Sequence, residues 1–107
     1  MLKISLLVIR CQDIEASKTF YELLGMTFTK EKHGGSPTHY STEHDGFVFE
    51  LYPNKDEPPK DNNRLGFNVR DISKVLSSLK VIESYEFNGS KIYIVKDPDG
   101  RKVEISE

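Results

Sequence analysis

A single cysteine, Cys11, is the only thiol the sequence offers, so no internal disulfide can cross-link the chain. A lone thiol fits a reducing, cytoplasmic setting, where it serves as a small core residue. Long apolar runs are missing too. The stretch from Ile4 to Ile9 falls far short of the roughly 18 residues of a membrane span, and no small-residue cleavage site follows it. There is also little excess charge of either sign: the formal net charge is −2. That gives no long-range pull toward nucleic acid or an acidic membrane, and neither is expected as a partner. Neither a nucleophile-base pair nor a phosphate-binding glycine loop is evident; Gly34-Gly35 lacks the strand, helix and spacing of a nucleotide fingerprint.

What is present is a repeat. Asp45-Gly46 opens the alternating run Phe47-Val48-Phe49-Glu50-Leu51, and Asp99-Gly100 opens Arg101-Lys102-Val103-Glu104-Ile105. Glycine supplies the positive φ that tight connections require, and a strand follows each time. Because side chains alternate faces along a strand, Phe47, Phe49 and Leu51 share one side while Val48, Glu50 and Tyr52 share the other. Glu50 and Glu104 therefore occupy equivalent places, each turned away from the apolar packing face. Such a pair marks either a solvated sheet face or a site.

With 107 residues the chain has room for one compact domain with a single core. Residues 3–11 read as a strand, and Asp13 caps an amphipathic helix over Ile14–Leu24 that stops at Gly25. Residues 26–33 and 38–44 read as short strands around Gly34-Gly35-Ser36-Pro37. The first module, residues 1–52, is thus βαβββ. A polar stretch rich in proline, 53–63, reads as a linker. The order then recurs over 64–107: a strand at 64–70, a helix capped by Asp71 with Ile72, Val75, Leu76 and Leu79 in one stripe, and strands at 81–87, 91–95 and 101–106. The fold class expected is α+β, two βαβββ modules in tandem, each a curled mixed sheet with a helix on its outer face. The opposite, polar faces form a cup.

Paired βαβββ units, the helix end Phe20-Tyr21-Glu22-Leu23-Leu24-Gly25 and the closing Asp97-Pro98-Asp99-Gly100 with Glu104 resemble the vicinal oxygen chelate superfamily. It groups glyoxalase I, bleomycin resistance proteins, extradiol dioxygenases and fosfomycin resistance enzymes. The resemblance spans nearly the whole chain. It implies a ligand on the first and last strands of each module, the last being glutamate, and Glu50 and Glu104 match. The first-strand ligand is typically histidine, and here those positions hold Leu6 and Arg64. Leucine cannot coordinate a metal, and a guanidinium has no lone pair to give.

Arg64 is therefore expected to neutralise Glu50 or Glu104 where a divalent cation would have stood. Gly66 and Asn68 share its face, with Arg10, Val8 and Leu6 equivalent in the first module. If Asp45-Gly46 is a two-residue turn, Ser41 faces Glu50 and His39 faces Tyr52. His39 then joins the interior face, about 7 to 8 Å from a diagonal neighbour, and is a candidate replacement ligand for a metal held by Glu50 and Glu104. Tyr40 and Tyr93 are either packing residues or cavity wall. The candidate set is thus Glu50 and Glu104 for catalysis or metal binding, with Arg64, Arg10, His39, Asn68 and Tyr93 as ligand contacts. The leading expectation is a homodimer binding a small polar or anionic molecule, with no cofactor assigned and a divalent metal left open. A divalent-metal lyase, isomerase or dioxygenase with an altered ligand set is one alternative, although two absent ligands argue against glyoxalase I activity itself. An interaction module without a cavity ligand is the other.

Overall fold

The computed structural model describes residues 1–54, 61 and 63–107. Most of the expected linker, residues 55–60 and 62, lies outside the described residues. Among the described residues, eight strands and two helices follow the order β1 (Leu6–Cys11), α1 (Ile14–Glu22), β2 (Thr29–Glu31), β3 (His39–His44), β4 (Phe47–Pro53), β5 (Arg64–Asn68), α2 (Ile72–Leu76), β6 (Glu83–Phe87), β7 (Ser90–Lys96) and β8 (Lys102–Ser106). The class is α+β, and the two βαβββ modules are in tandem. Each sheet has four strands, ordered β1-β4-β3-β2 and β5-β8-β7-β6. The first and last strands of each module are parallel neighbours; the others are antiparallel. Among the described residues no helix is long and apolar enough to cross a membrane.

Asp45 (φ 51°) and Gly46 (φ 81°) both take positive φ, the signature of a two-residue hairpin whose twist matches its strands. His44 pairs with Phe47 and Ser41 with Glu50, the register such a turn dictates. The second module departs here. Lys96 pairs with Lys102, so the β7–β8 connection spans residues 97–101 and is wider than its counterpart. Its shape comes from Asp97, whose Oδ1 accepts from the backbone of Asp99 (2.9 Å) and Arg101 (3.0 Å).

Several elements are shorter than their sequence patterns. α1 ends at Glu22 rather than Leu24, because the next amides bond three residues back, Leu24 to Tyr21 and Gly25 to Glu22. α2 ends at Leu76, and Ser78 and Leu79 bond back to Val75 and Leu76 in the same tight fashion. β2 covers only Thr29–Glu31. β4 is longer than expected: it runs through Pro53, which pairs with Cys11 of β1.

One apolar cluster joins both modules. Phe49 and Leu51 of β4 and Val103 and Ile105 of β8 all lie in it, fully buried. Tyr21 of α1 sits between them, its ring edge-on to Phe49 at 5.1 Å and to Phe67 at 6.0 Å. Cys11 belongs to the same cluster, and burial pushes its thiol up to about 11 from the ordinary 9.0. An unfolded chain loses that proton first, so this group's contribution is intact below pH 9.0 and declines toward about 11. A rise of that size is worth about 2–3 kcal/mol. Denaturant titrations at stepped pH are expected to show the loss beginning only above pH 9.0, with Cys11 resisting a thiol reagent until the chain unfolds. Rapid labelling of the folded protein would contradict the burial.

Candidate ligand site

Each sheet carries its polar residues on the face opposite the core. In the first module Arg10, Val8 and Leu6 of β1 lie beside Tyr52, Glu50 and Val48 of β4, and Ser41 lies beyond Glu50 on β3. His39, one pleat further along β3, is buried completely. Its ring stacks on Tyr52 with centroids 4.1 Å apart, and the Arg10 guanidinium lies 5.0 Å from the centre of the Tyr52 ring. His39 Nε2 faces Glu31 Oε1 at 3.4 Å, Glu50 Oε2 at 3.7 Å and the Tyr52 hydroxyl at 3.4 Å. Glu31 is brought there by β2, where it pairs with His39.

The second module holds a different set. Glu104 receives the Tyr85 hydroxyl and lies 3.2 Å from Arg64 Nε. The hydrogen bond to Glu104 holds the Tyr85 phenol above its usual value. Asn68 donates to Ser106 Oγ at 2.8 Å. Tyr93 pairs with Ile105, and Glu104 with Ile94, so Tyr93 lies on the side of the sheet away from Glu104, in a shallow pocket with Ile72 and Glu107. Glu50 and Glu104 thus each have partners within their own module: His39 for one, Arg64 and Tyr85 for the other.

Two lysines extend the charged row. Arg64 pairs with Lys102 across β5 and β8, and Lys102 with Lys96 across β8 and β7. Directly opposed residues share a face, so three cations line up over three strands. They border a cavity of about 440 Å³ that Asp61, Asn63, Gly100 and Arg101 also line. Among the described residues, Asp61 and Arg101 are paired to each other at 2.9 Å, whereas Lys102 approaches Glu83 at 3.9 Å.

A protein-family model described as the glyoxalase/bleomycin resistance protein/dioxygenase superfamily matches residues 3–105. The chain belongs to this superfamily. Among solved structures, the crystal structure of SMU.1112c superposes with a TM-score of 0.78 at 20% identity, covering 100% of this chain and 99% of that one. The oxidase ChaP-H2 (TM-score 0.76, 16% identity, 98% and 92% covered) and a lactoylglutathione lyase from Agrobacterium tumefaciens (0.72, 16%, 98% and 92%) have the same fold. No curated protein matches in sequence. An oxidase and a lyase on one fold show that the fold alone does not name the chemistry.

The resemblance implied a divalent metal on the first and last strands of each module, and the residues present do not fit one there. Leu6 offers no donor atom, and the Arg64 guanidinium already places a permanent positive charge beside Glu104.

Sequence reasoning did not single out Glu31, Tyr85, Lys96 or Lys102. Glu31 is placed by the register of β2 on β3, across a loop too long to fix it from sequence. Lys96 and Lys102 become partners only through the wide 97–101 connection.

Proposed function

We propose that this chain binds a small anionic molecule, one bearing a carboxylate or phosphate, against the row formed by Arg64, Lys102 and Lys96. The observation that carries the reading is the row itself. Like charges directly opposed across strands destabilise a sheet, and an anion seated on them removes that cost. Arg64 supplies the planar fork suited to carboxylate or phosphate, and the lysines supply point charges. Glu104 pairs with Arg64 and is itself held by the Tyr85 hydroxyl. Metal-dependent lyase, isomerase or dioxygenase chemistry at the superfamily's usual ligand positions lacks comparable support, because Leu6 and Arg64 stand there.

Thermal shift with inorganic phosphate and with succinate tests the proposal. A saturable rise in Tm is expected that weakens as sodium chloride is added, since exposed charges are screened. Lys96→Ala is expected to cut affinity about 10- to 100-fold, the loss of one charge-assisted contact. If neither anion shifts Tm, or Lys96→Ala binds as the natural protein does, the assignment fails.

A second copy of the chain is the partner we propose. Leu6, 54% exposed, opens the edge strand β1, Ile4, 71% exposed, precedes it, and Phe87, 61% exposed, lies on the edge strand β6. Unpaired edges carrying large apolar side chains are poised for pairing. Light scattering is expected to give twice the 12.3 kDa chain mass, and Phe87→Lys to shift it toward one. A monomer at high micromolar concentration would refute this.

A further inference from the structure

The hairpin formed by β2 and β3 gathers three metal-capable side chains that the anion site does not use. Among the described residues, Glu31, His33 and His39 are the group of this kind whose ligand atoms all lie within 4.8 Å of one another. Glu31 Oε1 stands at the centre, 3.4 Å from His33 Nε2 and 3.4 Å from His39 Nε2. These separations are long for strong hydrogen bonds. They are close to the edge of a tetrahedron whose centre lies about 2.0–2.1 Å from each corner, the bond length of zinc to imidazole and carboxylate.

The tautomer of His39 is fixed by its surroundings. Its Nδ1 lies 3.1 Å from the Pro37 carbonyl, and a carbonyl only accepts, so Nδ1 carries the proton. Nε2 is therefore the nitrogen that faces two carboxylates, Glu31 and Glu50, with the Tyr52 hydroxyl 3.4 Å away. One wholly buried imidazole and two partly buried carboxylates thus converge as a donor set that a cation can occupy. An imidazole whose second nitrogen is held by a backbone carbonyl is also how metal-binding histidines are commonly oriented. His33 is placed by its own turn: Ser36 Oγ donates to the His33 carbonyl at 2.7 Å and accepts from its amide at 3.2 Å. The two imidazoles come together at a centroid distance of 5.3 Å.

We infer that Glu31, His33 and His39 form a binding site for a borderline divalent cation of the zinc type, on the β2–β3 hairpin. Two nitrogens and one oxygen suit such an ion better than calcium or magnesium, which prefer all-oxygen shells. Three protein ligands leave a fourth position, toward which Glu50 Oε2, 3.7 Å from His39 Nε2, is the neighbouring donor. The site is separate from Leu6 and Arg64, the first-strand positions, and shares no residue with the anion row.

Untagged protein stripped with a chelator provides the test. Adding Zn²⁺ is expected to raise Tm by on the order of 10 °C once free metal exceeds Kd about a hundredfold. Titration with Co²⁺ is expected to give a visible absorption band that saturates at one equivalent. His33→Ala removes a side chain that is 70% exposed, so the variant keeps its fold. That variant and Glu31→Gln are each expected to lose more than the 10- to 100-fold that an outer-shell partner costs. Glu104→Gln and Lys96→Ala are expected to bind zinc as the natural protein does. Absence of a saturable response, or a response that survives His33→Ala, overturns the site. A response abolished by Glu104→Gln instead would move the metal to the second module and also overturn it. Phosphate binding by the His33→Ala variant reads the anion site separately.

Discussion

Replacing Arg101 by methionine is expected to lower the unfolding free energy by about 3–5 kcal/mol, the cost of leaving a buried carboxylate without its cation. Arg101 is 3% exposed and ties four places together. Its guanidinium makes a two-pronged contact with Asp61, Nε at 2.9 Å and Nη2 at 2.9 Å, while Nη1 reaches Asp97 at 3.1 Å and Asp99 at 3.4 Å. Nη2 also donates to the carbonyl of Arg10 on β1, so the β7–β8 turn of one module is bonded to the first strand of the other. Asp97 in turn accepts the Tyr21 hydroxyl at 2.8 Å. Burial works against the guanidinium's charge, but the hydrogen bonds to Asp61 and Asp97 outweigh it and raise its pKa. Lysine is no remedy, because a single ammonium cannot reproduce the planar fork. Urea unfolding followed by circular dichroism measures the loss. In Arg101→Met/Asp97→Asn the effects are expected to sum to well less than those of the single changes, since they share one contact. A drop below about 1 kcal/mol for Arg101→Met would mean the cluster is solvated in solution.

How far the residues disclosed this molecule depended on the length of each turn. The hairpin at Asp45-Gly46 admits one register, so the facing of Ser41 to Glu50 followed from two residues of sequence, and the strand order followed from the repeated βαβββ pattern. The second copy of the motif was harder. Asp99-Gly100 matches Asp45-Gly46 by position, yet Asp97 caps a wider turn, and this sets the pairing of Lys96 with Lys102. Arg101 looked like one more polar residue of a strand. The signal that it is buried lay in Asp97 and Asp99 on either side of a turn, which only a folded chain brings onto one guanidinium. Glu31 was hidden for a related reason: nothing local fixes β2 against β3 across the turn at Ser36. Helix ends were overextended because Leu24 and Leu79 continue the apolar stripe, while their amides bond three residues back instead of four.

Phe49→Ala is expected to cost about 3–5 kcal/mol, and to weaken both modules together. The side chain is 1% exposed and touches aromatic neighbours from either half: Tyr21 at 5.1 Å, Phe67 at 6.0 Å and Phe28 at 6.4 Å between centroids. Truncation leaves a void that rings anchored in both modules cannot collapse to fill. Phe49 is on β4 and Phe67 on β5, so the void opens where the modules meet. If each module held its own core, only the first would be loosened. With one shared cluster, thermal unfolding of the variant remains a single transition, and hydrogen exchange accelerates at β8 amides as it does at β4 amides. Protection that falls in β4 while β8 stays unchanged would show the modules to be energetically separate. The anion row on β5, β8 and β7 would then be independent of the His39 cluster on β2 and β3. A common core predicts the opposite, that losing Phe49 lowers the stability of both sites by the same amount.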